Sequence, residues 1–281
     1  MLTRYLYNKL EVKHSLFVSI LEHNIEESLF WGFELYYSGF HIETFEFIFK
    51  IYDEIFKSEN PLMENYINTC IENWNEENDP IYFGNLIATL CTRKFDLTNF
   101  CKDYFRVKGK QEIYKNSNMN VSLDHEFISQ FDNNNSQNIQ PRKLLQEKCI
   151  YKIRKKYSSL FQIEKPTYDE QLEILNSEHW LYYASFSPIW EERICYHNGT
   201  VEHENKKVVF ENDSDLESFF ENWGYEPDEQ NVTVKSNCIG EREEKQGSVV
   251  DFCKEFGFQI NTKKITTNKL KNTFSRREQV L

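Results

Sequence analysis

The chain has 281 residues with 45 acidic and 33 basic side chains, a net charge of −12. That balance argues against a protein that coats nucleic acid over its whole surface. Aromatics at 16%, against only 9 glycines and 6 prolines, favour long helices over turn-rich β structure. The seven cysteines (Cys70, Cys91, Cys101, Cys149, Cys195, Cys238 and Cys253) form no CxxC half-site and read as reduced thiols. The N-terminus lacks the pattern of a signal peptide, and no stretch approaches the ~20 apolar residues of a membrane span, so a soluble, intracellular protein is expected.

Apolar residues at three- and four-residue steps predict a first helix within residues 2–24, carrying Leu6, Leu10, Leu16, Phe17, Ile20 and Leu21. The densest aromatic stretch follows, EESLFWGFELYYSGFHIETFEFIFKIYDEIFK over 26–57. Its spacing predicts two helices that pack as an αα-hairpin, with Glu26, Glu27 and Glu34 on the polar side and Ser38-Gly39 at the turn. Pro61 precedes a helix to about Trp74, Pro80 opens another, and Asp96 is placed to cap a short one. Stacked amphipathic pairs of this kind suit a HEAT- or armadillo-like array over residues 1–106, or a compact bundle.

Residues 107–140 are Asn-rich and read as a linker with one short helix over 121–131. Pro141 then opens a predicted basic helix to about Phe161. Over 142–156 it holds Arg142, Lys143, Lys148, Lys152, Arg154, Lys155 and Lys156 against Glu147, a net +6. A smaller α-rich domain over 141–260 follows. It has a helix from Tyr168, an aromatic helix interrupted near Pro188, a small hairpin over 200–210, and an acidic helix over 213–223 with Leu216, Phe219 and Phe220 inward. The tail 261–281 carries +5, with Arg276 and Arg277 near its end. The predicted class is mainly α with a minor β element.

Three strings, LFWGFELYYSGF (29–40), HWLYYASFSPIWEERI (179–194) and YEPDEQ (225–230), resemble an uncharacterised protein family of the giant nucleocytoplasmic large DNA viruses, mimivirus-like members especially. The resemblance covers residues 1–105 and 175–240; the family's middle is longer and more apolar than 107–140 here. It implies a viral setting, in the host cytoplasm, the viral factory or the virion, and no particular activity.

Chemistry is thin. There is no GxSxG, GxxxxGK[ST] or GxGxxG pattern, and the seven histidines form no ligand spacing beyond His197 and His203 around one turn. No catalytic residue, cofactor or metal is predicted, and an enzyme with an unrecognised site is the minor alternative. Charge says more. Residues 22–79 hold 14 acids against two bases, so the basic segment either pairs with acidic faces of the chain or contacts RNA, DNA or an acidic partner. The 225–230 string suggests a docking loop for a basic surface, with Tyr225, Glu226, Asp228 and Glu229 as contacts. The leading expectation is a non-enzymatic interaction or scaffold protein that binds a viral or host protein. The alternative is a nucleic-acid-associated accessory factor in viral transcription or translation.

Overall fold

The computed structural model describes residues 1–112, 119–132, 139–161, 166–177, 179–243 and 245–261. Residues 1–8 form a tight turn, and the Asn8 side chain caps α1 (Lys9–Leu21) by accepting from Leu10 N and Glu11 N. Helix α2 (Ile25–Leu35) follows with Asn24 as its cap, and α3 (His41–Ile51) is joined to it by a wide turn, Tyr36–Phe40. Gly39 has φ +89° in that turn, the left-handed conformation expected there. A β-carbon on Gly39 would also sit 2.5 Å from Pro188 Cβ.

Helix α2 departs from the expected hairpin. It packs chiefly on α1 and on α5 (Pro80–Cys91), with α3 a lesser neighbour. Every residue from Glu27 to Leu35 is buried. A helix covered on all faces is the centre of a bundle, whereas an array would leave each helix a solvent side. Glu27 and Glu34, expected on a polar face, are therefore interior. Each large apolar side chain on α2, such as Trp31 or Phe33, contributes on the order of 1.5–3 kcal/mol by burial.

The remaining N-terminal elements are α4 (Met63–Glu77) and α6 (Thr98–Asp103). Asp79 caps α5, and Asp96 Oδ1 accepts from Thr98 N at 2.8 Å at the start of α6. The described part of the Asn-rich stretch is docked on the body. Val121 N donates to Thr89 Oγ1 and Leu123 N to Asn85 Oδ1, while α7 (His125–Ser129) buries Ile128. Most of its asparagine runs, 113–118 and 133–138, lie outside the described residues.

The chain continues through α8 (Pro141–Lys148), α9 (Tyr168–Asn176), α10 (Trp180–Ala184) and α11 (Pro188–Tyr196). The aromatic helix is interrupted before Pro188, as expected from proline at the first helical position. Strands β2 (Gly199–Glu202) and β3 (Lys207–Phe210) pair antiparallel, Thr200 opposite Val209. Helix α12 (Asp213–Trp223) buries Phe219 but leaves Leu216 and Phe220 each 40% exposed, against the expectation that all three face inward. Two elements were not anticipated, α13 (Val232–Ile239) and α14 (Val249–Glu255). Nor was the pairing of β1 (Gly109–Gln111) with β4 (Phe258–Ile260). One hydrophobic cluster runs from Leu2 to Phe258. No helix among the described residues is long and apolar enough to cross a membrane.

Candidate functional site

The basic segment is not one helix. Helix α8 stops at Lys148, and residues 149–155 are neither helix nor strand, ending in a turn at Lys156-Tyr157. The reason lies in a period of two: Cys149, Ile153, Lys155 and Tyr157 are buried, while Ile150 and Lys156 face solvent. The backbone of this stretch is held from both sides. Ile153 N donates to Asn237 O at 2.9 Å, Arg154 N to Ser15 Oγ at 2.9 Å, and the Tyr7 hydroxyl to Tyr151 O at 2.9 Å. Tyr151 and Tyr157, interspersed among the basic residues, are part of this packing.

Five of the seven basic residues make ion pairs within the chain. Arg154 Nε donates to Glu27 Oε1 at 2.8 Å and its Nη2 reaches Glu22 at 3.1 Å. The hydrogen bond it donates to Glu27 raises the Arg154 pKa. Lys155 is buried, 3.3 Å from the buried Glu11 and bonded to Ile239 O. Lys156 pairs with Glu255, a bond that raises its pKa, and Lys152 with Glu241 at 2.6 Å. Arg142 pairs with Glu226 at 3.4 Å and with Glu229. Lys143 is exposed, and Lys148 is half-buried with its pKa lowered by burial. Arg276 and Arg277 lie outside the described residues.

The two surfaces expected separately are thus partners of each other, because Arg142 belongs to the basic segment and Glu226 and Glu229 to the 225–230 loop. Tyr225 is no docking contact. It is wholly buried, edge-on to Trp190 at 5.3 Å. Asp228 is exposed, and its carbonyl accepts from Lys235 Nζ at 2.6 Å. Glu226 takes φ +43°, which points the loop back toward α8. The sequence signal for the burial of Tyr225 was present in its position directly after the helix-ending Trp223-Gly224, but its partner Trp190 is distant in the chain.

With the basic residues so engaged, exposed charge over residues 186–221 is acidic. Glu191, Glu192, Glu202, Glu204, Glu211, Asp213, Glu217 and Glu221 face solvent against Lys206 and Lys207. Exposed apolar side chains lie in the same stretch, Tyr196 at 81% as well as Phe186, Val209, Leu216 and Phe220. Sequence reasoning assigned Leu216 and Phe220 to the core and so missed this surface.

His197 packs on Phe219, and His203 lies against Tyr182 and Phe186. No group of three His, Cys, Asp or Glu among the described residues is arranged to hold a metal ion. A small apolar cavity between Phe17, Phe47, Phe100 and Phe161 has a volume of about 10 Å³, the space of about one water. Comparison with protein-family models, with curated proteins and with solved structures gives no match.

Proposed function

We propose that this chain is a non-enzymatic interaction protein of a giant DNA virus, acting in the viral factory or the virion. Its binding surface is carried by the β2–β3 hairpin and α12, and its partner is a basic protein. The observation that supports this reading is the exposed pair Leu216 and Phe220, one helical turn apart on α12 and flanked by Asp213, Glu217 and Glu221. Apolar side chains ringed by like charge suit a partner segment with an apolar face and lysine or arginine around it. The internal pairing of Arg142, Lys152, Arg154, Lys155 and Lys156 weakens the competing nucleic-acid reading, which is left with Lys143, Lys148 and the tail.

The test is a pull-down with the full chain from infected cells, split into nuclease-treated and untreated halves. Partners retained after nuclease, and lost with Leu216→Ser and Phe220→Ser together, support the proposal. Partners that vanish with nuclease, with affinity falling steeply as salt rises, move the function to nucleic acid. Partners retained equally by the double variant place the contact elsewhere.

A further inference from the structure

Arg193 on α11 is 5% exposed, and its Nε, Nη1 and Nη2 atoms have no hydrogen-bond acceptor among the described residues. The hydroxyl of the wholly buried Tyr225 has no well-formed hydrogen bond there either, its polar neighbour being the Arg193 guanidinium itself. Both groups flank one ring. The Arg193 guanidinium carbon lies 4.5 Å from the Trp190 centroid, on which Tyr225 also packs, and 3.8 Å from that of Trp223. Burial lowers the Arg193 pKa, and the Tyr225 hydroxyl, with a smaller part from Tyr5, opposes this.

A guanidinium keeps its charge at any physiological pH. Two indole faces compensate part of its desolvation. They act on the flat faces only. The in-plane N–H groups remain, and leaving a buried ion unpaired is costly. Neighbouring charge does not supply the missing anion. Arg4 acts on Arg193 as a second cation, and Glu34 is already bonded to Arg4 at 2.9 Å. Glu226 Oε2, buried and without a hydrogen bond, lies 3.4 Å from Arg142 Nε.

A planar fork of N–H donors, fixed by stacking and left without an acceptor, matches the geometry of an oxyanion, which takes two parallel bonds from arginine. We propose that Arg193 and Tyr225 form a binding site for one small oxyanion, a phosphate or carboxylate group, held at the guanidinium edge with the tyrosine hydroxyl as a further donor. The 225–230 loop covers it. Gln230 fixes that cover by donating to Tyr225 O at 2.6 Å and to Arg142 O at 2.7 Å. This gives the YEPDEQ string a role as the cover of an anion site.

The test titrates the full chain with sodium phosphate and, separately, with sodium acetate, at constant ionic strength made up with sodium chloride. Thermal midpoint and tryptophan fluorescence are read for the wild type, Tyr225→Phe and Arg193→Met. The proposal expects a saturable rise in midpoint over chloride alone, with a fluorescence change from the flanking indoles. A response to phosphate alone assigns a phosphate group, and one to acetate alone a carboxylate. Tyr225→Phe removes one donor to a charged acceptor and weakens apparent affinity about tenfold. Arg193→Met abolishes saturation. If Arg193→Met does not fold, Tyr225→Phe decides, since it removes only a hydroxyl whose one polar neighbour is Arg193. No saturable response in the wild type, or the same midpoint concentration in Tyr225→Phe, overturns the proposal.

Discussion

Arg4 Nε lies 2.9 Å from Glu34 Oε2, with both side chains almost fully withdrawn from solvent. The same carboxylate accepts from Tyr5 N at 3.0 Å, and Arg4 Nη1 donates to Phe131 O at 2.8 Å. The pair thus ties the N-terminal turn, the central helix and the 119–132 stretch together. Glu34→Gln leaves Arg4 charged and underpaired and costs about 3–5 kcal/mol. The double replacement Arg4→Met with Glu34→Leu removes both charges and costs clearly less. Urea unfolding of the single and double variants checks this, and equal losses would mean the pair's worth is not electrostatic.

Arg154 separates a structural from a nucleic-acid role. Glu27 is buried, and besides Arg154 it accepts from Trp31 Nε1 at 3.1 Å. Since Arg154 is itself partly exposed, Arg154→Ala costs about 2 kcal/mol of stability rather than the full value for a buried pair. RNA and DNA binding of the full chain, measured by fluorescence anisotropy, keeps the same salt slope in this variant.

Glu43 accepts from Lys9 Nζ at 2.5 Å and Lys13 Nζ at 2.6 Å. Burial raises its pKa, but these two ammonium groups outweigh that and hold it below the usual 4.5. A carboxyl depressed in the folded state contributes stability above its unfolded pKa, and loses it as pH falls through the folded value. Glu43→Gln is therefore less stable than the wild type near pH 7, and the gap closes as pH drops well below 4.5. Chemical unfolding between about pH 3 and 7 reads this directly.

Gly39→Ala meets two penalties at once, a left-handed φ and a collision with Pro188 at the start of α11. The backbone term alone is about 1–2 kcal/mol. The total exceeds it, because Pro188 is ring-locked and cannot turn aside. The midpoint in urea falls accordingly. A loss of no more than the backbone term would show that α11 shifts to make room.

Cys195 is exposed and the other six cysteines are buried. A chromogenic thiol reagent therefore titrates one thiol rapidly in the native protein and all seven in denaturant. Cys195→Ser removes the rapid phase.

Local features of the fold were legible because they depend on near neighbours in the chain. Pro80, Gly39 and Pro188 start or end helices by their own chemistry, and the structure uses each as expected. What failed depended on distant partners. In CIYKIRKKY over 149–157 the alternation was masked by charge, because inward-facing Lys155 finds Glu11 far away in the chain. Glu27 and Glu34 looked like solvent-facing acids for the same reason, since only Arg154 and Arg4 make their burial tolerable. Strands β1 and β4 have three residues each, too few for any periodicity to register. At the candidate surfaces, the residue types were visible, but whether Arg142 and Glu229 faced a partner or each other was decided by the folded chain.

The β1–β4 pairing has a consequence for synthesis on the ribosome. Gln111 donates to Phe256 O at 2.8 Å, Phe252 packs on Phe105 and Phe161, and Cys253 Sγ lies 3.8 Å from Cys101 Sγ. A nascent chain halted before Val249 has made Phe105 and Phe161 but not their cover. For that interval an aromatic face stays open to chaperones and to other unfinished copies, and the body closes only when α14 and β4 emerge.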